Sequence, residues 1–120
     1  MRLSPDTFEL AATEVLRLLP AELTAPLQNV IIVIEDRYIP EPDEPADTML
    51  YGYYSGVALT ERGEDEFGHL PDRIVLFRET FEQECDSWAQ VVAELRTTLV
   101  HEIAHHVGLS EERVHELGWG

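Results

Sequence analysis

The chain has 120 residues, 44% of them hydrophobic, which is enough for one domain with its own core and too apolar for a disordered segment. Its 24 acidic residues are opposed by eight arginines and no lysine, so the formal net charge is −16. This balance argues against nucleic acid and anionic membranes as partners, because both require a positive surface. No apolar run reaches the length of about 18 residues that a membrane-spanning helix needs. We therefore expect one globular domain over residues 1–120.

The first predicted element is a helix that follows Ser4. Serine is a favoured N-cap, and Pro5 suits the first helical position. Phe8 and Ala12 recur at helical spacing, which is typical of a buried stripe. Pro20 predicts the end of this helix.

Three strands are predicted in the middle of the chain. Asn29–Glu35 contains five consecutive β-branched residues, which is typical of a strand buried on both faces. Residues 36–47 hold three prolines and five acids and are interpreted as a loop, which lacks the spacing of a calcium-binding loop. Leu50–Arg62 predicts a strand with a glycine bend, Gly63–Pro71 a turn, and Arg73–Glu79 a further strand.

The remaining sequence is predicted to be helical. Thr80–Gln83 and Ser87–Gln90 are capping-box signals, which indicate a short helical turn and then a long helix from about Ser87 to Val107. Ser110 is expected to cap a last short helix that contains Val114. The core face of the long helix is predicted to consist of Trp88, Val91, Val92, Leu95, Leu99 and Ile103.

These elements predict an α+β fold. We expect a short mixed or antiparallel sheet of about three to four strands, with the helices packed on one side. The long helix is expected to run across the sheet as its buried backing element.

Cysteine usage and the N-terminus favour the cytoplasm. Cys85 is the single cysteine and cannot form an internal disulfide, which suits a reducing compartment. Residues 1–6 have no apolar core of the kind found in signal peptides. The acids around Cys85 are expected to raise its thiol pKa, which makes it a poor nucleophile.

The strongest chemical signal lies at the end of the long helix, where residues 101–111 read H-E-x-x-H-x-x-G-x-x-E. His101 and His105 are one helical turn apart, so their imidazoles leave the same face about 6 Å apart. This spacing suits two ligands of a tetrahedral zinc ion. Glu102 lies about 60° around the helix from His105. It is therefore placed to accept a proton from a zinc-bound water as a general base.

Two residues are candidates for the third zinc ligand. Gly108 permits a sharp turn, which would swing Glu111 back toward the metal, and we favour Glu111. His115 is the alternative, because the following helix could turn it toward the same point. His106 lies about 100° from His105 and is interpreted as a structural or exposed residue.

The motif resembles that of the zincin metallopeptidases, and within them the subgroup H-E-x-x-H-x-x-G-x-x-D, in which an acid is the third ligand; here position 111 is Glu. With its short length and its ending Leu117-Gly118-Trp119, the chain is similar to the small bacterial mini-zincins from about Asn29 onward. The resemblance implies a minimal zincin-like fold, a zinc cofactor, and hydrolysis of a peptide or unfolded protein. It also implies an antiparallel edge strand, Arg73–Glu79 or Gly52–Leu59, that pairs with the substrate backbone.

The tyrosines of the second predicted strand are interpreted as packing residues. Tyr51, Tyr53 and Tyr54 lie next to its glycine bend. Zincins also use a tyrosine or histidine to stabilise the oxyanion of the tetrahedral intermediate, so one of the three is an alternative candidate for that role.

Two further classes of function are compatible with the sequence. The domain could bind zinc without catalysis, as a structural or sensor site or as an inactive zincin relic. Four protein ligands around the zinc would indicate a structural site, whereas three ligands and one coordination position open to water would permit catalysis. The other class is a protein-interaction domain without a metal.

Overall fold

The structure, a computed structural model, describes residues 1–27, 29–56 and 71–119. The second half of the predicted strand Leu50–Arg62 and most of the predicted turn Gly63–Pro71 lie outside the described residues. The described elements confirm the α+β class, with a sheet of three strands. In chain order they are α1 (Pro5–Arg17), α2 (Ala21–Thr24), β1 (Val30–Glu35), β2 (Gly52–Ser55), β3 (Asp72–Phe77), α3 (Arg78–Glu84), α4 (Trp88–His106) and α5 (Glu111–Glu116).

The sheet has the strand order β1-β3-β2, so the last strand in sequence is the central one. β1 runs parallel to β3 with Val30 opposite Asp72, and β2 runs antiparallel to β3 with Tyr54 opposite Ile74. The prediction that β1 is buried on both faces is wrong, because Ile31 is 42% exposed. β1 also lies at an edge of the described sheet. β3 is buried on both faces apart from Arg73, since Ile74 and Leu76 are buried on one face and Val75 and Phe77 on the other.

Different groups pack on the two faces of the sheet. Ile74 and Leu76 face the helices and belong to the main hydrophobic core. Phe77 points to the opposite face, where the rings of Tyr38 and Tyr53 lie 5.5 and 5.9 Å from its own. The helices therefore pack on one side of the sheet, as predicted. The largest fully buried side chains of this core include Phe8, Leu23, Phe81, Leu95, Leu99 and Ile103.

Serine caps fix where three helices begin. The hydroxyls of Ser4, Ser87 and Ser110 each accept a hydrogen bond from the backbone N–H three residues later, which confirms all three predicted caps. The capping box predicted at Thr80 is wrong, because α3 has already begun before this residue. The Thr80 hydroxyl instead donates a 2.8 Å hydrogen bond to the carbonyl of Leu50.

The long helix α4 connects the core to the chemical motif. Val91, Leu95, Leu99 and Ile103 are fully buried, as predicted, but Trp88 is 43% exposed. Trp88 is the first residue of the helix. Helical spacing predicts which face a residue lies on, but not whether neighbouring elements extend far enough to cover it. α4 packs against α1, α2, β2 and α5. Among the described helices, none has the length and apolar character needed to cross a membrane.

Candidate metal and catalytic site

The helix that carries the two motif histidines ends in a glycine turn. α4 stops at His106, and Gly108 adopts a left-handed φ of 86°. The N–H of Leu109 then donates to the carbonyl of Ala104 at 2.8 Å, which satisfies one of the last carbonyls of the helix. The sharp turn predicted at Gly108 is confirmed.

His101 and His105 lie one turn apart on this continuous helix, so they share a face as predicted. His101 is half-buried and His105 is exposed. Imidazole nitrogen is a ligand that zinc prefers, and a half-exposed pair is accessible to an ion from solvent. By chemistry and spacing, these two residues fit two positions of a zinc site.

The candidates for the third ligand lie on the following helix. Glu111 is the first residue of α5, and His115 lies one turn further along; both are exposed. Within residues 1–27, 29–56 and 71–119, no three His, Cys, Asp or Glu side chains lie close enough together to hold one metal ion. The assignment of Glu111 as the third ligand therefore stays a prediction.

Glu102 faces the sheet rather than bulk solvent. Its Oε1 accepts a 3.0 Å hydrogen bond from the backbone N–H of Tyr54 in β2. Glu102 and His105 line an open cleft of about 320 Å³, together with Tyr54 and His106. The structure thus brings the predicted general base and one predicted zinc ligand to the same cleft. His101 lies one turn earlier on α4.

Beside this cleft lies a buried polar group that we term the Tyr54–Asp72–His106 cluster. The Tyr54 hydroxyl donates to Oδ2 of Asp72 at 2.8 Å, and His106 Nε2 lies 3.5 Å from the same oxygen. The rings of Tyr54 and His106 are stacked, with centroids 4.0 Å apart and planes 16° from parallel. The side chains of Asp72 and His106 are only 7% and 4% exposed. Of its two predicted alternatives, structural or exposed, the burial of His106 excludes the second. The sequence analysis did not identify Asp72.

The three tyrosines of the β2 region have different surroundings. Tyr51 packs edge-on against Phe81 at 4.9 Å, and Tyr53 lies against Phe77 at 5.9 Å. Both are packing residues, as predicted. Tyr54 is the one of the three that lines the cleft.

Of the two candidate edge strands, β2 is the one that lies at an edge of the described sheet. β3, the other candidate, is central, so that alternative is wrong. The N–H of Phe77 donates to the carbonyl of Tyr51 at 2.9 Å, which marks this pair as hydrogen-bonded. Because bonded and non-bonded pairs alternate in antiparallel strands, the backbone groups of Gly52 and Tyr54 point away from β3. We call this side of the strand the outer edge of β2, and Glu102 binds there.

Cys85 lies away from the cleft, in the core. It is 4% exposed, and burial raises the pKa of its thiol, with a smaller effect from Glu94, Asp86 and Glu84. The predicted direction of the pKa shift is confirmed, but burial is a larger cause than the neighbouring acids.

Comparisons with known proteins add a family and a fold. Residues 27–119 match the family described as zincin-like metallopeptidase. A comparison with curated proteins finds no match. One similar solved structure is titled as a conserved hypothetical protein from Thermo thermophilus. It is 21% identical in sequence, with a TM-score of 0.59, and the match covers 87% of this chain and 94% of that protein's chain. At this identity the likeness concerns the fold.

Proposed function

The chain belongs to the zincin-like metallopeptidase family, and from this premise we propose that it is a zinc-dependent peptidase that hydrolyses peptide bonds. The observation that carries the proposal is the shared cleft of Glu102 and His105 beside the outer edge of β2. A carboxylate within reach of both a metal position and an extended backbone is what general-base hydrolysis of a peptide requires.

The predicted zinc-binding residues are His101 and His105, with Glu111 as the third ligand and His115 as its alternative. Zinc bound there would supply Lewis acidity toward the scissile carbonyl and toward water. Glu102 is not a ligand in this proposal. Its carboxylate takes the proton of the attacking water and passes it to the leaving amine.

The substrate we propose is an extended, preferably cationic, peptide or unfolded segment. The backbone groups of Gly52 point to the outer edge of β2, where an extended chain can add as a further strand. The net charge of −16 attracts basic segments and repels acidic ones. We place this activity in the cytoplasm, since the single cysteine, Cys85, is a free thiol.

The alternative is a zinc-binding domain without catalysis. A structural or sensor site needs the same histidines but gives Glu102 no role in chemistry. The two functions therefore differ in one measurable respect, the dependence of hydrolysis on the Glu102 carboxylate.

The test compares wild type with Glu102→Gln. We expect both to bind one zinc ion per chain by elemental analysis and to melt at a lower temperature after chelation, since binding to the native state alone stabilises it. Wild type should cleave unfolded cationic peptides, and Glu102→Gln should lose activity by a factor on the order of 10² to 10⁴. The control Glu9→Gln removes an equal charge from the exposed face of α1 and should remain active.

Two results would overturn parts of this proposal. If wild type and Glu102→Gln both hold zinc and are equally inert across a broad peptide library, the non-catalytic function stands. If neither contains zinc and chelation leaves the melting temperature unchanged, the metal site itself is wrong.

The third ligand is tested separately. Glu111→Ala should weaken zinc affinity sharply, while His115→Ala should leave it near that of wild type. The reverse ranking would transfer the ligand role to His115, and small equal effects would mean that water completes the coordination shell.

A further inference from the structure

The carboxylate of Glu102 is attached to the sheet through a backbone group. Its Oε1 lies 3.0 Å from the N of Tyr54, and this N–H is directed to the outer edge of β2 rather than to β3. A glutamate side chain has several rotatable bonds, so a single fixed donor removes much of its freedom. The position of Glu102 therefore depends on where β2 holds the Tyr54 N–H.

The Tyr54–Asp72–His106 cluster fixes that position. The Tyr54 ring is stacked on His106 of α4, and its hydroxyl donates to Asp72 of β3 at 2.8 Å. Each of the three residues belongs to a different element, so the cluster joins the motif helix to two strands. Asp72 and His106 are almost fully buried, so their contacts are made in a medium of low dielectric, where they are strong.

We propose that Tyr54, Asp72 and His106 are positioning residues for Glu102, a role that rests on the proposed peptidase function. The Tyr54 N–H holds one carboxylate oxygen, and the other oxygen of Glu102 accepts the proton. Asp72 and His106 act through Tyr54, because they fix its side chain and with it the backbone of β2. Preorganisation of this kind matters because a displacement of about 1 Å costs roughly 100-fold in rate.

The sharpest test removes the Tyr54 N–H and keeps every side chain, while weakening the Tyr53 carbonyl as an acceptor for β3. The α-hydroxy acid analogue of tyrosine at position 54 replaces the amide by an ester and keeps the ring and the hydroxyl. We expect kcat to fall roughly 10- to 100-fold, the equivalent of one hydrogen bond to a charged group, with KM and zinc content unchanged. The matched control is the same ester at Tyr53, whose N–H belongs to the β3 side of the strand. It should lower stability and, because it weakens the Gly52 carbonyl on the outer edge, raise KM, but it should leave kcat near wild type.

Three further variants separate positioning from general stability. In a Glu102→Asp background the shorter carboxylate no longer reaches the Tyr54 N–H, so the ester should have little further effect on kcat. Asp72→Ala should lower kcat, whereas Asp72→Asn, which keeps an oxygen acceptor for the Tyr54 hydroxyl, should retain most of it. Equal losses in both Asp72 variants would contradict the proposed route through Tyr54.

A measurement that does not depend on activity examines the contact itself. In an amide NMR spectrum, Glu102→Gln should move the Tyr54 amide proton upfield and leave that of Tyr53 in place, because a carboxylate is the stronger acceptor. An active wild type whose Tyr54 ester has an unchanged kcat would overturn the positioning role alone. An inert wild type that holds zinc would overturn the peptidase function, and the positioning role with it.

Discussion

Replacing Gly56 by alanine should test how rigidly the Tyr54–Asp72–His106 cluster is held. A Cβ at this position would lie 2.6 Å from Cγ and 3.2 Å from Cβ of Asp72. The backbone of Gly56 does not have a positive φ, so alanine suits its conformation and the effect is steric. Asp72 is 6% exposed and accepts the hydrogen bond of the Tyr54 hydroxyl, so we expect the added methyl group to push its carboxylate away from that hydroxyl.

The expected magnitude has two parts. Overpacking a tight site costs about 1–3 kcal/mol, and losing a hydrogen bond to a buried charged group costs about 1.5–3 kcal/mol. Gly56→Ala should therefore lower the free energy of unfolding by about 2.5–6 kcal/mol, a large part of the roughly 5–15 kcal/mol typical of a domain. Urea unfolding followed by circular dichroism measures this, with an unchanged slope if the transition stays two-state.

A double-mutant cycle with Asp72→Ala isolates the cause. Once the Asp72 carboxylate is gone, Gly56→Ala should cost less than about 1 kcal/mol, which gives a coupling energy of about 1.5 kcal/mol or more. Gly108→Ala is the control: its Cβ would meet nothing within 4 Å, but its φ of 86° costs about 1–2 kcal/mol, additively with Asp72→Ala. If the loss from Gly56→Ala is the same with and without Asp72, the steric argument is refuted.

Three other predictions concern groups outside the cleft. The hydrogen bond to Glu44 raises the pKa of Tyr38 from 10.0 to about 12. The folded state then keeps a proton that the unfolded state loses, so stability should fall as pH rises from about 10 to 12, and Tyr38→Phe should remove this part of the slope in urea unfolding. Cys85 should react slowly with a disulfide reagent in the folded protein and rapidly in urea, and equal rates would contradict its burial. Ser87→Ala should lower the free energy of unfolding by about 1 kcal/mol, since the N-cap of α4 is lost.

Local signals in the sequence predicted the helices well. Ser4, Ser87 and Ser110 were identified as caps because the bond that a cap makes lies within three residues of it. The turn at Gly108 was predictable for the same reason. The sequence did not predict what packs around an element. β1 has the composition of a strand buried on both faces, but the exposure of Ile31 depends on what covers that face in the folded chain, which composition does not encode.

The candidate site was predictable only where it lies on one helix. His101, Glu102 and His105 follow from their spacing on α4. The Tyr54–Asp72–His106 cluster was not predictable, since its members come from three elements and meet only after β2 and α4 have packed. The Tyr54 N–H that binds Glu102 carries no sequence signal at all, because every residue except proline has one.

The central place of β3 also affects how the chain is made and kept soluble. β1 and β2 precede β3 in the sequence, yet each pairs with β3 and they do not pair with each other. On a ribosome both strands therefore emerge before their partner exists, and β1 is a β-branched segment of the kind that associates between chains. Glu35 ends β1 and Asp36 follows it directly, and like charges on neighbouring nascent chains repel each other. The acidic residues thus disfavour association between chains through β1, the strand that is synthesised longest before its partner β3.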